Sequence, residues 1–134
     1  AKADRIDLLP DGRLRILDYK TGMPPLEQDV TLGFSPQLPL EGAIAMTQGF
    51  ENISATQIES LQFWWLKGDR NGGIIKTLTG DPHERSIKAL EGLKRMVLLF
   101  ENEAVPYPAR PLPGKGLKYN DYAHLARLQE WGKS

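Results

Sequence analysis

The chain has no cysteine. That excludes a disulfide framework, a thiolate zinc site and a cysteine-ligated iron-sulfur cluster, and it accords with a reducing cytoplasm. It also lacks an excess of charge of either sign, since seventeen Lys and Arg balance seventeen Asp and Glu. Attraction of nucleic acid by net charge is thereby excluded, and any grip on phosphates has to come from local placement of basic side chains. No apolar run approaches the roughly 20 residues needed to cross a bilayer, and the amino terminus resembles no signal peptide. The sequence therefore reads as soluble and cytoplasmic, with no membrane partner. Internal repeats and low-complexity tracts are missing too. What is present, 134 residues with 40% hydrophobic and 25% charged, fits one domain with one core. The opening residues Ala1 to Ile6 already alternate as a strand, where natural chains more often have a loose lead-in, so a fragment of something longer is expected.

Residues 3 to 9 and 13 to 20 alternate apolar and polar around Pro10-Asp11-Gly12, the pattern of a hairpin with a three-residue loop and Gly12 at positive φ. Residues 22 to 34 hold two prolines and two glycines without periodicity and read as a loop. Ser35-Pro36 reads as a cap followed by proline at the first helical position, giving a helix over 36 to 48 that Gly49 closes, with Pro39 tolerated in its first turn. Residues 57 to 67 are rich in strand formers, and 72 to 78 supply their hairpin partner. Asp81-Pro82-His83-Glu84 has the form of a capping box opening a long helix. Its core-facing stripe runs through Ile87, Leu90, Lys94, Val97 and Leu98, widened by Leu93, Met96 and Phe100. Residues 105 to 116 read as an extended surface segment and 120 to 131 as a closing helix. The fold class is α/β: a central mixed sheet that includes the amino-terminal hairpin, flanked by helices.

The register of the hairpin decides where chemistry can sit. With the turn centred on Asp11, opposed residues have numbers summing to 22, so Leu8 faces Leu14, Ile6 faces Ile16 and Asp4 faces Asp18. Asp4, Ile6, Leu8, Leu14, Ile16, Asp18 and Lys20 then share the face that packs on helices, while Arg5, Asp7, Arg13, Arg15 and Tyr19 share the other. Two directly opposed carboxylates have Cβ atoms about 5 Å apart and repel, so something must compensate. A shared proton is one solution and a divalent cation the other, with Lys20 assisting either. Magnesium or manganese suits two carboxylates plus water and substrate phosphate, which points to phosphodiester hydrolysis. A plain Asp18–Lys20 ion pair on the surface is the simpler alternative. On the opposite face, Asp7 opposed to Arg15 suggests an ion pair of little energetic weight.

The string Ala3-Asp4-Arg5-Ile6-Asp7, then Leu17-Asp18-Tyr19-Lys20-Thr21-Gly22, then Gln37 on the following helix, resembles the RecB-like branch of the PD-(D/E)XK nuclease superfamily. The resemblance implies a restriction-endonuclease-like core in which Asp4 and Asp18 ligate Mg2+ or Mn2+ and the backbone carbonyl of Tyr19 adds a ligand. It further implies that Lys20 is catalytic and that Gln37 contacts the site or the DNA. Phe34 to Glu41 and Tyr119 to Trp131 are similar to the cysteine-free form of the AddB family, which implies DNA as substrate, an AddA-like helicase-nuclease partner and no iron-sulfur cluster in this chain. Many such relatives have tyrosine four residues after the glutamine, where this chain has Glu41. A non-catalytic DNA-binding or scaffolding module with the same fold is the rival from another class. His83 and His124 lack metal-ligand spacing and read as structural. Trp64 and Trp65 read chiefly as core packing, with base stacking the less favoured role. From Ala104 to Ser134 five basic residues face two acidic ones, either a DNA-tracking strip or a solvated tail, and Gly114-Lys115-Gly116 lacks the context of a phosphate loop.

Overall fold

The computed structural model describes residues 2–68, 70 and 72–106. The sequence-based expectations for the extended segment beyond 106, the closing helix and His124 fall outside these residues. Contacts divide the chain into two compact units, Ala1–Met96 and Val97–Ser134. In the first, strands β1 (Arg5–Leu8), β2 (Leu14–Lys20), β3 (Ile58–Trp65) and β4 (Ile74–Thr77) form one sheet in the order β1-β2-β3-β4. β1 and β2 are antiparallel, β2 and β3 parallel, and β3 and β4 antiparallel, so the sheet is mixed, as expected from the sequence. Helices α1 (Glu27–Thr31) and α2 (Gln37–Met46) occupy the crossover that a parallel pair requires, and α3 (Pro82–Phe100) follows β4. No helix of the described residues is long and apolar enough to cross a membrane.

The hairpin has the expected register, with Leu8 opposite Leu14, Ile6 opposite Ile16 and Arg5 opposite Leu17. Its three-residue loop is closed by the Leu9 N–H on the Arg13 carbonyl at 2.8 Å, and Gly12 takes φ +81°, a value that favours glycine. Although Asp7 stands opposite Arg15, the ion pairs run elsewhere. Arg5 reaches Asp7 at 2.7 Å along its own strand, and Arg15 reaches Glu59 on β3.

β3 breaks its alternation. Leu14 pairs with Ile58 but Arg15 with Ser60, so Glu59 is an extra residue, and Ile58, Leu61 and Phe63 all reach the core face. They pack with Leu14, Ile16, Val30, Leu38, Ala45 and Leu78 into one cluster beneath α2. Each of the larger side chains, Ala45 excepted, contributes about 1.5–3 kcal/mol on burial. The two tryptophans are not part of it, contrary to the core reading. Trp64 is half-buried on the back of the sheet, where Tyr19 meets it edge-on at 5.9 Å and Arg5 lies over its ring; Trp65 carries the Lys67 ammonium at 4.0 Å. Phe63 takes the core place instead.

Two helix ends differ from expectation. Pro36 itself is the N-cap of α2 and Ser35 makes no capping bond, while Pro39 sits in the first turn as anticipated. At the other end the Gln48 N–H binds the Ala45 carbonyl and the Gly49 N–H the Ile44 carbonyl, a Schellman motif that puts Gln48, not Gly49, at positive φ (56°). The segment read as a loop contains α1, because burying Val30 pins one helical turn there. Arg85 fastens that turn to the start of α3 by bonding Glu27 and the Thr79 carbonyl, and Glu27 also accepts from the Thr79 hydroxyl at 3.1 Å.

Asp81 caps α3 by accepting the His83 N–H at 3.0 Å, whereas Glu84 pairs with Lys88 instead of completing a capping box. The predicted apolar stripe is not buried: Ile87, Leu93, Met96, Val97 and Leu98 are all exposed. Only Ser86 is fully enclosed, because the helix docks through its first turns, where Ser86 lies against Gly42 of α2.

Candidate active site

β2 is a central strand, bonded on both sides, and its last three residues carry the candidate chemistry. Asp18 continues the core face of Leu14 and Ile16 and is 1% exposed. Lys20, two residues on and therefore on the same face, holds its ammonium 2.8 Å from Asp18 Oδ2. The contact is a close charge pair without hydrogen-bond alignment, which leaves Oδ2 buried and unbonded. An ion pair with so deeply buried an aspartate is not the solvated surface pair of the simpler reading.

Asp4 lies just before β1, where the register carried one step further sets it opposite Asp18. It is exposed, and its Oδ2 accepts the Tyr19 backbone N–H at 3.0 Å, in effect extending the β1–β2 ladder with a side chain. Gln37 opens α2, and its amide donates to Glu41 Oε1 one turn later at 3.1 Å. Glu41 is 5% exposed, and its Oε2 is the other buried side-chain atom without a hydrogen-bond partner among the described residues.

Burial raises the proton affinity of Glu41 above the ordinary carboxylate value. The charges of Asp18 and Asp4 add to the rise, while the Gln37 hydrogen bond and Lys20 oppose it. The structure ties Asp4 to the Tyr19 amide and Lys20 to Asp18, and it joins Gln37 to the buried Glu41. The sequence offered one signal for it, the i,i+4 spacing from Gln37 into a helix that had to face the sheet.

These side chains fit a hard divalent cation. Every donor is an oxygen, and two buried carboxylate oxygens lack partners. No three carboxylate or imidazole groups among the described residues are gathered tightly enough to hold an ion by themselves. Magnesium uses one or two carboxylates and retains water, so Asp4 and Asp18 are the residues that would hold it. His83 is exposed in the first turn of α3 and takes no part.

Comparison with known proteins gives a family match. A family model described as the PD-(D/E)XK nuclease superfamily matches residues 1–114. An uncharacterized protein of Rickettsia conorii is 29% identical over 93% of this chain, and one of Rickettsia bellii is 30% identical over 92% of it. The chain spans only 17% and 16% of the length of these relatives. An uncharacterized protein of Rickettsia felis is 44% identical over 36% of the chain. No solved structure matches.

Proposed function

Because the chain belongs to the PD-(D/E)XK nuclease superfamily, we propose that it is a metal-dependent deoxyribonuclease module that hydrolyses phosphodiesters in the cytoplasm at the site formed by Asp4, Asp18, Lys20 and Gln37. The observation that carries this reading is the buried Asp18 carboxylate with the Lys20 ammonium at 2.8 Å, set at the end of a central strand next to Asp4.

Asp18 and Asp4 would hold the cation, with the Tyr19 backbone carbonyl as a further oxygen. Mg2+ or Mn2+, when bound, polarises the phosphoryl oxygen and makes water more acidic. Lys20 orients the attacking water and offsets the negative charge that grows on the phosphorane, a task for which its pairing with Asp18 fixes it in advance. Gln37, exposed at the mouth of α2, reaches toward the DNA.

The strings shared with the AddB family extend the proposal to an exonuclease that trims double-strand ends for recombinational repair beside an AddA-like helicase-nuclease partner. The small share of the relatives' length that this chain spans accords with one module of a larger machine. Degradation of end-labelled linear duplex by the full-length chain tests the reading. Activity is expected with Mg2+ or Mn2+ and a loss of at least about a hundredfold in Asp18→Ala and Lys20→Ala. Cleavage unchanged by Asp18→Ala refutes the active-site assignment, and cleavage absent from the wild type with either metal favours a scaffolding role.

A further inference from the structure

The last residue of β3 stands beside the last residue of β2. Trp65 and Lys20 are partners in the parallel pair, and the Leu66 N–H on the Lys20 carbonyl at 2.8 Å carries the ladder one step past both strands. Partners on neighbouring strands point to the same side, so Trp65 shares the face of Asp18 and Lys20, one strand spacing of about 4.8 Å away. The Lys20 ammonium agrees with this: it lies 5.9 Å from the ring centre of Phe63, the residue before Trp65 on that face. Packing does not account for Trp65. Phe63 takes the core place two residues earlier, whereas Trp65 is only partly buried and stays outside the core cluster, and Ile74, its partner on β4, is exposed. What the structure sets on the ring is a cation, the Lys67 ammonium at 4.0 Å. Lys76, opposite Phe63 on β4, adds a further positive charge to this face.

We propose that Trp65 is a stacking platform for an unpaired base of the DNA strand whose phosphate lies at Asp18 and Lys20, with Lys67 as the cation that meets the backbone of that strand. This rests on the nuclease reading above and gives it a preference for single-stranded or frayed ends. An indole offers its flat face to any base, provided that the base is free of its complement. A cation over a partly exposed ring is a weaker attachment than a stacked base, so the base displaces Lys67, whose flexible stem lets the ammonium swing to a phosphate. The ladder bonds on both sides of Trp65 hold the platform at a fixed distance from Lys20.

The test is cleavage by the full-length chain, with Mg2+ or Mn2+, of single-stranded oligonucleotides in which each nucleotide in turn is made abasic. In the wild type kcat/KM is expected to fall about five- to a hundredfold at one position. Trp65→Leu keeps apolar bulk without a ring; it is expected to show the same loss on the intact strand and no further loss at that position, and Trp65→Phe to restore most of it. A 2-aminopurine at that position is expected to lose fluorescence on binding to the wild type in chelator, a readout that needs no variant to fold. Lys67→Gln is expected to reduce the slope of log affinity against log salt by about 0.7, and an unchanged slope overturns the part of Lys67. A wild-type scan in which no single base matters, an unquenched 2-aminopurine, or a full abasic penalty in Trp65→Leu overturns the platform and leaves the nuclease reading standing. Wild-type chain that cuts no strand with either metal, or cleavage indifferent to Asp18→Ala, overturns both.

Discussion

Replacing Gly42 by alanine probes the contact that seats α2, and with it Gln37 and Glu41, against the rest of the fold. A Cβ at position 42 would lie 2.2 Å from Ser86 Oγ, 3.1 Å from Ile58 Cδ1 and 3.3 Å from Ser86 Cβ. The hydroxyl can rotate away only by giving up its 2.7 Å bond to the Pro82 carbonyl, and the two carbon contacts remain tight even then. Overpacking of this kind costs about 1–3 kcal/mol. Alanine in a helix interior returns about 1 kcal/mol relative to glycine, so a net loss of up to about 2 kcal/mol is expected. Urea unfolding followed by tryptophan fluorescence measures it. In a Ser86→Gly background both serine contacts vanish, and Gly42→Ala should become neutral or stabilising, a coupling of at least about 1 kcal/mol. Full stabilisation by Gly42→Ala in the wild-type background would refute the close approach of α2 and α3.

Gln48 holds a left-handed conformation at the end of α2, so Gln48→Gly is expected to raise stability by roughly 0.5–1 kcal/mol in the same assay. Arg85→Met removes the cation that joins Glu27 to Thr79 and is expected to cost about 1–3 kcal/mol, with α1 exchanging its amides faster. Glu41 titrates above its ordinary value of 4.5, chiefly because it is buried. Its contribution to the stability of the metal-free chain is thus complete below that value and lost as pH rises through the raised one. Thermal melts across the acid range should show this loss, and Glu41→Gln should flatten it.

How much was legible depended on the range of the interaction involved. The hairpin register followed from Pro10-Asp11-Gly12 and period-two alternation alone, and it brought Asp4 and Asp18 together before any tertiary contact was considered. Asp81 announced its helix because capping is local. Other features belong to distant partners. The extra residue at Glu59 is set by pairing with β2, forty residues earlier in the chain, so alternation within 57 to 67 misleads about which side chains face inward. The stripe on α3 was a sound helical period, but a period does not say how many turns find a neighbour, and docking through Ser86 and Arg85 uses only the first few. Glu41 was visible as a substitution of residue type; its enclosure was not, since burial at position 41 depends on how α2 lies across β2 and β3.

The bond from the Tyr19 amide to Asp4 ties an edge strand of the sheet to the proposed active site. β1 is four residues long and held by one neighbour, so it is prone to fray, and Asp4 rides on its outer end. Occupancy of the site and closure of that edge must then rise and fall together, which makes the Tyr19 amide proton a built-in reporter whose exchange slows when ligand arrives.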